Sequence, residues 1–165
     1  MFNKAAICAL LVTAIAVGPA QSARTASASR CTTSGLVVWI DTTGNGTAGS
    51  IYYKLEFTNQ SGHACSLYGF PGVSAVNLAG HRLGSPGGRT TTTRPRVITL
   101  ANGATATANL QVTEAGNYPS SVCRMTNAAG VRVYPPNQRA AKIVPFPFQA
   151  CSRSGPVILH VWAVA

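Results

Sequence analysis

Carboxylates are nearly absent: Asp41, Glu56 and Glu114 are the only three in 165 residues. So few acids, so widely spaced, are a poor basis for catalysis by paired carboxylates. Metal-ligand spacings are missing as well. There is no Cys-x-x-Cys or His-x-x-x-His, and His63-Ala64-Cys65 is the nearest approach to a ligand pair. No Gly-x-Ser-x-Gly elbow occurs, although a Ser-His-Asp set dispersed along the chain leaves no local signature. No stretch of ten or more residues has helical periodicity. The longest apolar run, Ala5 to Val17, has about 13 residues, short of the roughly 20 that cross a bilayer as a helix.

That apolar run is part of an expected leader. Lys4 precedes it, Gly18-Pro19 break it, and Ala26-Ser27-Ala28 offers a small-x-small cleavage site, with Gln21-Ser22-Ala23 as a weaker one. Residues 1–28 therefore read as a secretory signal peptide, cleaved after Ala28 or Ala23. Residues 29–165 then form a single exported domain, secreted or associated with the cell envelope. Cys31 follows Arg30, which does not suit a lipoprotein peptidase, and Cys8 lies inside the apolar run. No lipid tail and no membrane span are expected, and the domain is expected as a monomer.

Loss of Lys4 and Arg24 with the leader leaves 11 basic side chains against 3 acidic ones, a net charge of +8. Such a surface attracts anions. Export makes nucleic acid a poor partner, so the candidate partners are an anionic envelope glycan or lipid, or another exported protein. No cofactor is called for.

The residues after the leader alternate in short segments between turn signals, as in a sandwich or barrel. Leu36, Val38 and Ile40 can face a core while Val37 and Trp39 take the other side. Tyr53, Leu55 and Phe57 point inward, with Tyr52, Lys54 and Glu56 towards water. Val97–Leu100 runs into Asn102-Gly103, which suits a type I′ hairpin turn. Beyond it Ala104, Ala106, Ala108, Leu110 and Val112 alternate with polar residues, the pattern of a half-buried strand. Val131–Tyr134 leads back through Pro135-Pro136-Asn137 to Lys142–Phe148, where Pro145 and Pro147 call for an edge strand or a break. Val157–Val164 is apolar on both faces, as a central strand is. The segment 80–95, rich in glycine and arginine, reads as a mobile loop. Gly44-Asn45-Gly46-Thr47-Ala48-Gly49 matches a nucleotide-binding string, but it leads into a strand and not a helix, so it reads as an inter-strand loop. The fold class is all-β: an immunoglobulin-like antiparallel β-sandwich of eight or nine strands with two disulfides.

Cys31, Cys65, Cys123 and Cys151 allow three disulfide connectivities. Cys31 and Cys65 flank the first strand pair, and Cys123 and Cys151 bracket the pair around Val131–Phe148. Antiparallel pairing brings flanking positions together, which favours 31–65 and 123–151. Oxidation suits an exported chain better than metal ligation does.

The arginines carry the remaining clue. Arg82, Arg89, Arg94 and Arg96 fall within 15 positions. They are either a solubilising surface or a patch that binds anions. The function expected is non-catalytic binding of anionic envelope or extracellular components. The alternatives are a small secreted hydrolase using His63, His81 or His160, and a structural partner of another exported protein that docks through an edge strand. Two glycosylation triplets, at Asn45 and Asn59, receive no role.

The string Asn59-Gln60-Ser61-Gly62-His63-Ala64-Cys65-Ser66-Leu67-Tyr68-Gly69-Phe70-Pro71-Gly72-Val73 resembles the signature of the actinobacterial domain of unknown function 4232 family. Ala79-Gly80, Leu83-Gly84, the string from Leu100 to Ala106, Cys123, Val131 to Pro136 and Cys151 follow in the same order. The resemblance implies an exported or lipid-anchored β-sandwich from an actinobacterium, mycobacteria included. It brings no activity, ligand or catalytic residue. Many relatives carry a lipoprotein cysteine; this chain departs from them, which implies release.

Overall fold

The computed structural model describes residues 27–165, so nearly all of the expected leader lies outside the described residues. The fold is all-β, with ten strands and one short 3-10 turn at Ala115–Asn117 among the described residues. Strands β1 (Leu36–Thr47), β2 (Ser50–Asn59), β7 (Thr105–Thr113), β10 (Leu159–Val161) and β5 (Gly88–Arg89) make a five-stranded sheet in the order β1-β2-β7-β10-β5. Strands β4 (Gly72–Val76), β8 (Met125–Tyr134) and β9 (Lys142–Cys151) make a second sheet, and β3 (Cys65–Tyr68) pairs with β6 (Val97–Leu100) as a third. All pairings are antiparallel except that of β10 with β5. The architecture is sandwich-like. The strand count exceeds eight or nine: β5, two residues long, lies in the segment read as a loop, and the expected strand Val157–Val164 is reduced to Leu159–Val161.

Period-two patterning places the core between the five- and three-stranded sheets. Ala106, Ala108, Leu110 and Val112 of β7 are buried, and the residues between them are not. They join Leu55, Phe57, Leu159 and Val161 from the same sheet and Val73, Val131, Val133, Val144 and Phe146 from the other in one cluster. Tyr53 meets Phe146 edge to face at 4.8 Å between ring centroids, which ties β2 to β9. Strand β9 is the edge of its sheet, as its two prolines require, and both prolines are exposed. The disulfides are Cys31–Cys65 and Cys123–Cys151.

Four local expectations are corrected. Asn102-Gly103 does turn the chain, with Ala104 N donating to Ala101 O at 3.0 Å, but only Gly103 has positive φ, at 83°. Type I′ needs positive φ at both central residues, so this is the type II pattern. The turn joins no hairpin, because β6 crosses away from β7 to pair with β3. The cause is Asn59, which is fully buried. Its Nδ2 donates to the carbonyls of His63, Leu100 and Ala101 at 2.8, 3.1 and 3.2 Å. Its Oδ1 accepts from the Ser61 amide and hydroxyl at 3.0 and 2.7 Å. Its backbone takes Gly103 N at 2.6 Å and gives its own N–H to Ala104 O at 2.9 Å. One side chain thus pins the end of β2 to the turn after β6.

The other three corrections concern exposure and attachment. Glu56 does not face water: it is 8% exposed, between Trp39 and Thr107 in register, and accepts a hydrogen bond from Thr107 Oγ1 at 2.8 Å. The segment 44–47 is strand, not loop; β1 runs through a register shift after Asp41 to a two-residue turn at Ala48-Gly49. The segment 80–89 is no free loop. His81 O accepts from Asn77 N, Leu83 N donates to Ala75 O at 2.8 Å, and Gly87 N donates to Val73 O at 2.8 Å. Gly87 is required there, since a Cβ would collide with Val73. The segment so lies along the free edge of β4 and ends as β5 beside β10.

Candidate functional site

In β8, Val131 and Val133 point into the core, so Arg132 and Tyr134 must face the other way. In register beside them on β4 lie Ser74 and Gly72. The attached segment 80–89 arches over this outer face. Its turn places Gly80 within 3.4 Å of Ile143 for a Cβ, and the Arg132 guanidinium donates through Nη2 to the Gly80 carbonyl. Arg82 bridges to Val76, and Arg89 closes the segment at β5.

The result is a cleft of about 290 Å³ lined by Pro71, Ser74, Arg82, Arg89, Arg132 and Tyr134, with glycine and proline backbone between them. Three arginines line it, Arg82 and Arg89 from the attached segment and Arg132 from β8, and no carboxylate does. Arg82 and Arg89 are exposed and Arg132 is half-buried. The Arg89 guanidinium carbon stands 5.8 Å from the centre of the Phe70 ring, a cation–π contact that steadies a long side chain. Arginine keeps its charge at any physiological pH and offers a planar fork of five donors. Arg132 uses one of these on Gly80, which holds it in place and leaves the rest of the fork free of that contact.

A second hollow of about 530 Å³ adjoins the first, with Gly72, Arg89 and Tyr134 in both linings. Its walls are aromatic and proline rings from Tyr68, Phe70, Pro95 and Pro135, with the amides of Asn137 and Gln138. Asn137 has φ of 60° in the turn Pro135–Gln138, where Gln138 N donates to Pro135 O at 3.0 Å, and its Nδ2 donates to Tyr68 O at 2.8 Å. The left-handed residue is thereby held against the wall of the hollow.

Of the four arginines expected from sequence, Arg82 and Arg89 meet in the cleft. Arg94 and Arg96 line neither hollow; only Pro95 between them reaches the second. Arg132 and Tyr134 complete the site and were not among the candidates. The signal was the alternation of Val131-Arg132-Val133-Tyr134, which puts both polar residues on one face, but the segment that arches over that face is not visible locally. The four cysteines stand as two disulfides away from the cleft lining.

The histidines are dispersed over unrelated elements. His63 Nδ1 is 3.1 Å from the Ser61 carbonyl. His81 lies exposed in the turn after β4, and His160 on β10 has an Nδ1 without a partner. Of the carboxylates, Glu56 meets Thr107, and Asp41 Oδ1 accepts from Thr43 N at 2.9 Å, which holds the Asp41 carboxyl below its ordinary pKa. Among the described residues no group of three His, Cys, Asp or Glu side chains is placed to hold a metal ion, and no helix is long and apolar enough to cross a membrane.

The family model described as Domain of unknown function (DUF4232) matches residues 31–161. No curated protein and no solved structure matches the chain.

Proposed function

The chain belongs to the DUF4232 family, and from that premise we propose that it is an exported, non-catalytic module that binds an anionic component of the cell envelope or its surroundings through the Arg82–Arg89–Arg132 cleft. One observation carries this reading: Arg82 and Arg89 from the attached segment and Arg132 from distant β8 line a single cavity that no acid neutralises. A solubilising surface needs only dispersed charge. Convergence in a concave site raises the local potential and the concentration of anions there. The two disulfides suit an oxidising compartment, and the actinobacterial origin implied by the sequence resemblance agrees with an envelope-facing role. Docking of another protein on the β9 edge is disfavoured, since Pro145 and Pro147 lack two of the donors that strand addition requires.

The test is retention of the oxidised protein on envelope fractions across a salt series. Binding that weakens steadily with ionic strength, and that Arg89→Glu abolishes, supports the reading. Retention indifferent to both salt and Arg89→Glu, or no retention, contradicts it.

A further inference from the structure

Resting on that reading, we propose that the cleft and the adjoining hollow form one two-part site for a phosphorylated sugar. The phosphate sits among Arg82, Arg89 and Arg132, and the sugar ring lies in the compartment of Tyr68, Phe70, Tyr134, Asn137 and Gln138.

The first compartment selects the anion. Three guanidinium groups without a carboxylate among them suit a group with several acceptor oxygens and more than one negative charge. A phosphate monoester carries about −1.5 to −2 at neutral pH and three strong acceptor oxygens. A carboxylate has two oxygens and one charge, which a single guanidinium fork satisfies in full. Three arginines in one cavity therefore favour phosphate over carboxylate.

The second compartment selects what the phosphate is attached to. Arg89 and Tyr134 belong to both hollows, so a ligand anchored in the first has its substituent delivered into the second. That wall pairs ring faces with side-chain amides. Ring faces take the C–H side of a sugar, and amides both donate to and accept from hydroxyls. A purely apolar substituent would cover the Gln138 amide and the Asn137 Oδ1 without giving them a partner, which costs binding energy. The volumes, about 290 and 530 Å³, together fall within the range of roughly 300–1,000 Å³ typical of small-ligand sites. Asn137 is held in a left-handed conformation by its own contact with Tyr68 O, so this wall is preformed.

The experiment is calorimetric titration of the oxidised, folded protein with mannose 6-phosphate, inorganic phosphate, mannose and glucuronic acid, repeated with Tyr68→Ala and Arg132→Gln. The expected order places mannose 6-phosphate about tenfold or more tighter than inorganic phosphate, with mannose alone and glucuronic acid weaker than either. Tyr68→Ala, in the second hollow only, should bring mannose 6-phosphate down to the level of inorganic phosphate and leave the latter unchanged. Arg132→Gln should weaken both. Unchanged thermal unfolding of each variant shows that the fold is intact. Equal affinity for mannose 6-phosphate and inorganic phosphate overturns the two-part site and leaves the anion reading standing. Preference for glucuronic acid overturns the phosphate assignment in the same way. No binding of any of these probes, with salt-sensitive retention on envelope fractions preserved, also overturns the site alone. Loss of that retention as well brings down both readings. A further arm with vesicles displaying an inositol phosphate headgroup separates the sources. Cosedimentation assigns the ligand to a lipid headgroup, and binding of only the soluble probe assigns it to a free or polymer-borne sugar phosphate; both uphold the site.

Discussion

Two polar clusters in this molecule have opposite characters. Around Asn59 every donor and acceptor of a fully buried amide is matched by backbone or by Ser61, and the product is architecture: β2, the turn after β6 and the path to β3 are joined at one point. In the arginine cleft, charged groups from Arg82, Arg89 and Arg132 line an open cavity, with only Arg132 tied to a neighbouring carbonyl. A buried polar group with all its partners inside the protein specifies the fold. A charged cluster that gains few internal partners keeps its capacity for something from outside. The two regions should therefore fail in different assays.

The largest effect is expected at the knot. Asn59→Ala removes the side-chain bonds to the His63, Leu100 and Ala101 carbonyls and those from Ser61, at a fully buried position, at a cost of about 4 kcal/mol in unfolding free energy. Denaturant unfolding measures it, and anion binding by the fraction that remains folded should be unchanged. Next comes the disulfide beside the knot. Cys31 and Cys65 are 34 residues apart, and their joint replacement by alanine should cost about 3.5–4 kcal/mol in the chain-entropy model. The cleft should behave in the opposite sense. Arg89→Ala is expected to shift unfolding by no more than about 0.5 kcal/mol, as for an exposed side chain, while weakening retention on an anionic matrix about tenfold or more. A variant of Arg89 that unfolds as readily as one of Asn59 would erase the distinction.

The smallest effect is at Asp41, a group outside both regions. Its folded pKa lies below the ordinary 3.8 because the Thr43 amide, then the Thr43 side chain, bind the ionised form. The stabilisation is complete above the ordinary value and is lost as the pH falls through the lower folded value. Asp41→Asn should therefore flatten only the acid limb of the stability profile, slightly, with no change at neutral pH.

How much of this was legible in the sequence follows from the range of each interaction. The alternation in Thr105–Thr113 is local, and it names the buried face of β7 correctly. Pro145 and Pro147 declare an edge strand because a missing donor is a property of the residue itself. The cysteine pairing could be favoured because flanking positions of a hairpin must meet. Nothing local marks Asn59 as the residue that diverts β6, since its partners at Leu100 and Ala101 lie some forty positions away. Glu56 looked outward by parity and is nonetheless buried, because Trp39 and Thr107 close over it from neighbouring strands. The arginine site mixes both cases. Arg82 and Arg89 stand close in sequence, whereas Arg132 joins them only through the pairing of β4 with β8 and the attachment of segment 80–89 along β4. Proximity in sequence suggested Arg94 and Arg96 in its place.

The most direct measurement compares two triple variants of equal charge. One carries Arg82→Ala, Arg89→Ala and Arg132→Ala; the other carries Lys54→Ala, Arg94→Ala and Arg96→Ala, all outside the two hollows. Retention on envelope polyanion at moderate salt should be lost in the first and kept in the second. Equal loss in both would mean that net charge alone does the binding, and the cleft would have no special part in it.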